Sequence, residues 1–261
     1  APTVDEQVEQ YATVLQAFPG RKVVIRTLDA GADKPLPFVT ADDEPNPALG
    51  VRGLRTSWDR PEVLKDQLAA IAQAAATTEA DVHVMAPMVA TVAETQDFVE
   101  ACARHGIDKA GIMIEIPASA LRAKDLLKAA TFASVGTNDL TQYALAADRE
   151  LASLASLSTP WQPAVLDLIG AAWEGAARHG RPVGVCGEAA ADPALAPVLV
   201  GLGVASLSMT ARSLPAVGAV LATLTLEECQ SLAEVARDAA SAEQARTEVR
   251  RRIPALEEWG L

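Results

Sequence analysis

Three cysteines in 261 residues, Cys102, Cys186 and Cys229, are too few and too irregularly spaced for a disulfide framework. The odd count suits a reducing compartment, so a cytoplasmic location is expected. Histidine is as scarce. His105 and His179 fall at helix ends, His83 opens a strand, and none has a partner at metal or triad spacing. Positive charge is also short, with 22 Lys and Arg against 34 Asp and Glu and a net charge of −12. That field repels phosphate polymers and argues against a general nucleic-acid or anionic-membrane surface. A small anion would need a local cationic pocket or a metal. There is no Gly-x-Gly-x-x-Gly or Walker loop, so nucleotide binding has no support. The most apolar stretch, residues 194–224, is broken by Pro197, Arg212 and Pro215, so no membrane span is expected. The opening residues Ala1 to Glu6 show no basic region leading into an apolar one, so no secretory signal is expected.

What is present is a regular alternation. Half of the residues are apolar, enough for one large domain with a full core, and residues 1–261 read as a single domain. Short apolar runs at 23–25, 82–85, 111–114, 132–135, 183–185 and 206–209 read as buried strands, with a weaker one at 51–54. Amphipathic stretches separate them. Thr91-x-x-Glu94 is a capping box, and the helix it opens runs to Arg104-His105-Gly106, where glycine supplies a left-handed cap. The same ending recurs at residues 177–180. Pro61 and Pro193 each fit a first helical turn behind an aspartate cap, Asp59 and Asp192. Thr225-x-x-Glu228 and Ser241-x-x-Gln244 open two more helices. One long Gly/Pro-rich loop, from Ala30 to Gly50, interrupts the rhythm.

Strands alternating with helices predict a parallel sheet, and the number of units favours a TIM-type (β/α)8 barrel over an open sheet. The chain begins with a helix, whose apolar stripe is Val8, Tyr11, Ala12 and Leu15, and the first strand follows it. Seven strands can be counted where a closed barrel needs eight. The barrel is therefore expected to lack its first strand here, that strand lying upstream of residue 1 in a longer parent protein.

Four strands run into a polar group of a different kind: Arg26, Glu115, Asn138 with Asp139, and Cys186. In a parallel barrel the carboxyl ends of the strands open on the active-site face. Glu115 and Asp139 are two hard oxygen ligands of the kind Mg²⁺ takes, or else carboxylates with ion-pair partners. Arg26, Arg52 and Arg149 are forks for phosphate or carboxylate, or structural ion-pair members as Arg55 and Arg60 are expected to be. Cys186 lies between Gly184 and Gly187, and such flanks suit close approach of a ligand, although buried thiols are often purely structural. Cys102 and Cys229 lie in helical patterns and are assigned to packing. Arg250-Arg251-Arg252 reads as a favourable helix C-terminus.

The run Ser134-Val135-Gly136-Thr137-Asn138-Asp139-Leu140-Thr141-Gln142-Tyr143, with Asp148-Arg149 beyond it, resembles the phosphoenolpyruvate-utilising enzymes. Val185-Cys186-Gly187-Glu188, the Ile-Glu-Ile-Pro-Ala run over 114–118, and segments 24–37 and 46–52 add to the match, which extends in order over residues 20–225. The phrasing is most similar to the C-terminal domain of enzyme I of the bacterial phosphoenolpyruvate–sugar phosphotransferase system. Pyruvate phosphate dikinase and phosphoenolpyruvate synthase share the Asn-Asp, Glu and Cys positions but differ in their loops. The resemblance implies a barrel that binds phosphoenolpyruvate with Mg²⁺. By motif match, Glu115 and Asp139 hold the metal, while Asn138, Asp139, Arg26, Arg52 and Arg149 hold substrate. Cys186 is the acid that protonates C3 as pyruvate forms. The resemblance also implies partners: an N-terminal domain carrying the acceptor histidine, the phosphocarrier protein docking on that domain, and a second copy of the chain in a homodimer. None of the three histidines here matches the acceptor. The family's substrate-contacting arginine after its first barrel strand has no counterpart either. Two other readings are a domain of the dikinase or synthase branch and a non-catalytic dimerisation core.

Overall fold

A computed structural model describes residues 1–40 and 44–261. The chain divides into two compact units. The first comprises residues 1–113 with 129–132, and the second residues 114–128 with 133–261.

The first unit opens with α1 (Val4–Gln16), whose Thr3 and Glu6 form a reciprocal capping box. Of the expected apolar stripe, Leu15 is fully buried, and α1 lies along α3. Strand β1 (Lys22–Arg26) follows, then the loop from Ala30, a 3-10 turn at Gly53–Arg55 and the short α2 (Thr56–Asp59). Next come α3 (Pro61–Ala76), β2 (Asp81–Ala86), α4 (Val92–Arg104) and β3 (Ala110–Ile114). β1 and β3 both pair in parallel with β2. Leu68, Ile71, Val84, Phe98 and Ile112 are completely or almost completely buried. Each such side chain contributes about 1.5–3 kcal/mol through burial.

The second unit takes Ile114, α5 (Pro117–Leu121) and α6 (Ala123–Leu126), then β4 (Ala133–Gly136), α7 (Thr137–Leu145), α8 (Pro163–Ala177) and β5 (Val183–Cys186). It continues through α9 (Glu188–Ala191), α10 (Leu195–Gly201), β6 (Ser206–Ser208), α11 (Leu214–Leu221), α12 (Leu226–Arg237), α13 (Ala242–Arg251) and α14 (Pro254–Glu258). β4, β5 and β6 are parallel and in chain order. α10 approaches α12 so closely that a Cβ on Gly201 would stand 2.0 Å from the Cys229 carbonyl oxygen.

The six strands called from apolar runs are all present, and the chain is α/β with parallel strands, as expected. The weaker strand at 51–54 is not. Arg52 is extended, but Gly53 turns to φ +59 and the chain closes into the 3-10 turn. A positive φ at that point ends a strand, and glycine is the residue that permits it. The Asp59 cap is also absent. Asp59 closes α2, and Arg60 is the N-cap residue of α3 without a side-chain cap bond. Asp192 does cap, its Oδ1 accepting from the N–H groups of Ala194 and Leu195 at 2.8 and 3.4 Å. The capping boxes at Thr91 and Thr225 form with both bonds, and Ser241 accepts from Gln244 N–H. Gly106 and Gly180 have φ +72 and +61, as their helix-ending pattern requires.

Candidate active site

In the second unit, β4 ends at Gly136 beside the last residue of β5, Cys186, with which it pairs in register. The chain turns at once into α7, so Asn138 and Asp139 fall in its first turn. Thr137 ties the two strand ends together, its hydroxyl donating to the Cys186 carbonyl oxygen at 3.3 Å. The Cys186 thiol donates to the Val135 carbonyl oxygen at 3.4 Å, a bond that requires a proton on sulfur. Gly187, at φ +89, brings its backbone to Asn138: a Cβ there would lie 3.7 Å from Asn138 Oδ1.

Glu115 lies directly over Gly136. A Cβ on Gly136 would meet Glu115 Oε1 at 2.5 Å, so the missing side chain makes room for the carboxylate. Glu115 is 1% exposed and Asp139 5%. Burying two carboxylates is costly unless cations compensate them. One compensation is visible, Arg149 Nη1 at 3.6 Å from Asp139 Oδ2. Arg149 is positioned by its own backbone, whose N–H donates to Gln142 Oε1 at 3.1 Å. The turn from α7 toward Arg149 passes through Ala146 in the left-handed region. Among the described residues no three or more His, Cys, Asp or Glu side chains group as metal ligands. A pair of buried oxygen donors nevertheless fits Mg²⁺, which is held by one or two carboxylates and completes its shell with substrate oxygens and water. The second unit thus brings together Glu115, Asn138, Asp139, Arg149 and Cys186.

In the first unit Arg26 and Arg52 converge on Asp29. Arg26 Nη1 is 3.2 Å and Arg52 Nη2 3.4 Å from Asp29 Oδ2, and Lys34 Nζ reaches the same oxygen at 3.3 Å. Arg52 is 1% exposed and also pairs through Nη1 with Asp33 at 3.3 Å. Burial acts to raise the Asp29 pKa, but Arg52, Arg26 and Lys34 together more than offset it and hold the carboxyl below its ordinary value. Asp29 and Lys34 lie in segment 24–37, which carries the resemblance, but were assigned no role of their own. The i,i+3 spacing of Arg26 and Asp29 was the available signal.

The residues assigned elsewhere behave accordingly. Arg55 lies 3.7 Å from Glu94, and Arg60 4.0 Å from Glu62. Arg251 and Arg252 both pair with Glu248 at the end of α13. Cys102 is fully buried, and burial pushes its thiol up to about 12. Cys229 is buried too, its pKa raised by burial and then by Glu228.

A family described as "PEP-utilising enzyme, PEP-binding domain" matches residues 1–226. A phosphoenolpyruvate-protein phosphotransferase of Streptomyces coelicolor is 56% identical over 248 residues, covering 95% of this chain and 45% of that protein. A multiphosphoryl transfer protein of Xanthomonas campestris pv. campestris is 44% identical, covering 94% and 30%. The phosphoenolpyruvate-protein phosphotransferase of Latilactobacillus sakei is 39% identical, covering 90% and 43%. The chain thus spans less than half the length of these curated relatives. It belongs to the PEP-utilising enzyme family, as a PEP-binding domain.

Proposed function

We propose that this domain binds phosphoenolpyruvate with Mg²⁺ and supports transfer of its phosphoryl group to a histidine on a separate N-terminal domain, releasing pyruvate. The observation that carries the reading is the joint burial of Glu115 and Asp139 at the end of β4, beside the Cys186 thiol and with Arg149 at 3.6 Å from Asp139. Relatives named phosphoenolpyruvate-protein phosphotransferase favour this branch over a dikinase or synthase. The eight-stranded barrel, to which this chain contributes six parallel strands, is part of the same reading. So are a cytoplasmic location, a homodimer, and a phosphocarrier protein that docks on the acceptor domain.

The roles follow from chemistry. Glu115 and Asp139 would hold the metal, and Mg²⁺ would supply charge neutralisation at the substrate's phosphoryl and enol oxygens. Arg149 and Asn138 orient the anion, and Arg26 and Arg52 take its phosphate and carboxylate by motif match. Phosphoryl transfer needs positioning and electrostatic stabilisation more than covalent help, and losing one well-placed donor costs about 3–4 kcal/mol of transition-state stabilisation. The bond from phosphorus to the enol oxygen breaks, and its electron pair stays on oxygen. The histidine nitrogen takes the phosphoryl group. The enolate left behind takes a proton at C3 from the Cys186 thiol, giving pyruvate and a thiolate that solvent reprotonates.

Calorimetry with phosphoenolpyruvate, with and without Mg²⁺, tests the reading. Saturable binding that needs Mg²⁺ and is lost in Glu115→Gln is expected. Binding that is indifferent to both would overturn it.

A further inference from the structure

Three cations from separate places in the first unit meet on one oxygen atom. Arg26 ends β1, Lys34 closes a small turn bridged to Gly31, and Arg52 precedes the 3-10 turn. All three lie within 3.2–3.4 Å of Asp29 Oδ2. The Asp29 side chain is 1% exposed. Its other oxygen, Oδ1, is equally buried and accepts no hydrogen bond among the described residues. Asp33, the second carboxylate, pairs with Arg52 and is one-fifth exposed, at 21%. Arg52 thus reaches two carboxylates, while Arg26, Lys34 and Arg52 all share the one oxygen of Asp29.

A carboxylate that served only to neutralise buried Arg52 would be best placed as a bidentate partner of that guanidinium. Asp29 instead offers a single oxygen to three groups that repel one another. We infer that Asp29 is a positioning residue: it gathers Arg26, Lys34 and Arg52 into one anion-receiving cluster, in which Lys34 supplies the third positive charge. The inference rests on the reading of Arg26 and Arg52 as groups that hold the substrate's anions.

The two ways Asp29 could act have opposite signs. As a mere counter-charge it repels an incoming anion, and removing its charge strengthens anion binding. As a positioning residue it sets the cation geometry. Removing its charge then weakens binding even though the cluster becomes more positive.

The experiment titrates inorganic phosphate and phosphoenolpyruvate into the chain and into Asp29→Asn by calorimetry, with thermal melts of each protein. Asp29→Asn is expected to bind phosphate about tenfold more weakly, the scale of one charge-assisted hydrogen bond. Lys34→Gln, which leaves the buried pair of Arg52 and Asp29 in place, is expected to weaken it about threefold, with Lys34→Arg restoring most of the loss. Binding by Asp29→Asn that equals or exceeds that of the unsubstituted chain overturns the inference. If Asp29→Asn does not fold, unchanged binding by Lys34→Gln overturns it. Phosphate binding that responds to both substitutions, without phosphoenolpyruvate binding, removes the substrate reading and leaves the role of Asp29 standing. Binding of phosphoenolpyruvate that ignores both substitutions does the reverse. Absence of any phosphate binding removes both.

Discussion

The segments that follow β1 and β4 handle charge in opposite ways. After β1, three cations crowd one aspartate oxygen. At the end of β4 two carboxylates are buried, Glu115 from the segment after β3 and Asp139 from α7, and Arg149 stands 3.6 Å from Asp139. On the proposed reading, the first segment accepts negative charge and the second positive charge. A net charge of −12 gives no hint of either arrangement, because it sums over the whole chain. The contrast lies in how like charges are grouped locally, which composition does not register.

Substitutions can break or sharpen this contrast. The largest effect is expected for Asp139→Asn, which removes a proposed metal ligand and the partner of Arg149. Phosphoenolpyruvate affinity measured by calorimetry should fall about 100-fold, roughly the worth of a charge-assisted contact to a buried ion. Gly201→Ala, in α10, should cost about 2 kcal/mol of stability in denaturant unfolding, because its Cβ would overlap the Cys229 carbonyl 2.0 Å away. Anion binding by the folded fraction should not change. Gly136→Ala pushes directly on Glu115, whose Oε1 would be 2.5 Å from the new Cβ. Mg²⁺-dependent binding should weaken about tenfold with a small shift in melting, the signature of a displaced ligand more than a broken core. The smallest effect belongs to Cys102. Its thiol is raised from 9.0 to about 12 by burial, so the stability it contributes is intact below pH 9 and is lost as pH rises toward 12. Equilibrium unfolding at pH 8 and pH 10 should differ through this group by about 1.4 kcal/mol at most, and Cys102→Ala should remove that difference.

How much of this was legible depended on the range of the interaction. Caps are local, and Thr91, Thr225 and Ser241 declared theirs through residues three positions on. The strands follow short apolar runs, so all six could be placed directly, but the expected burial fails at β1 and β6, in which no residue is buried. Residues 51–54 could not. Their apolar pattern fits a strand, and only the backbone at Gly53 shows that the chain turns. Asp59 failed as a cap because α2 intervenes and ends on it. The candidate site divided along the same line. Glu115, Asn138, Asp139, Arg149 and Cys186 all carried a strand-end or motif signal. Asp29 lies three residues past β1, and its importance comes from Lys34 and Arg52, partners 5 and 23 residues away that no local pattern connects.

The most direct test of the account is the exchange of pyruvate's methyl protons with D₂O, followed by NMR in the presence of Mg²⁺. Protonation of C3 and its reversal share one transition state, so the acid that delivers the proton must also remove it, and no acceptor histidine is needed. The account expects this chain to catalyse the exchange, Cys186→Ser to slow it by about 100-fold or more, and Cys102→Ser to leave it unchanged. Exchange at the same rate in Cys186→Ser would contradict it.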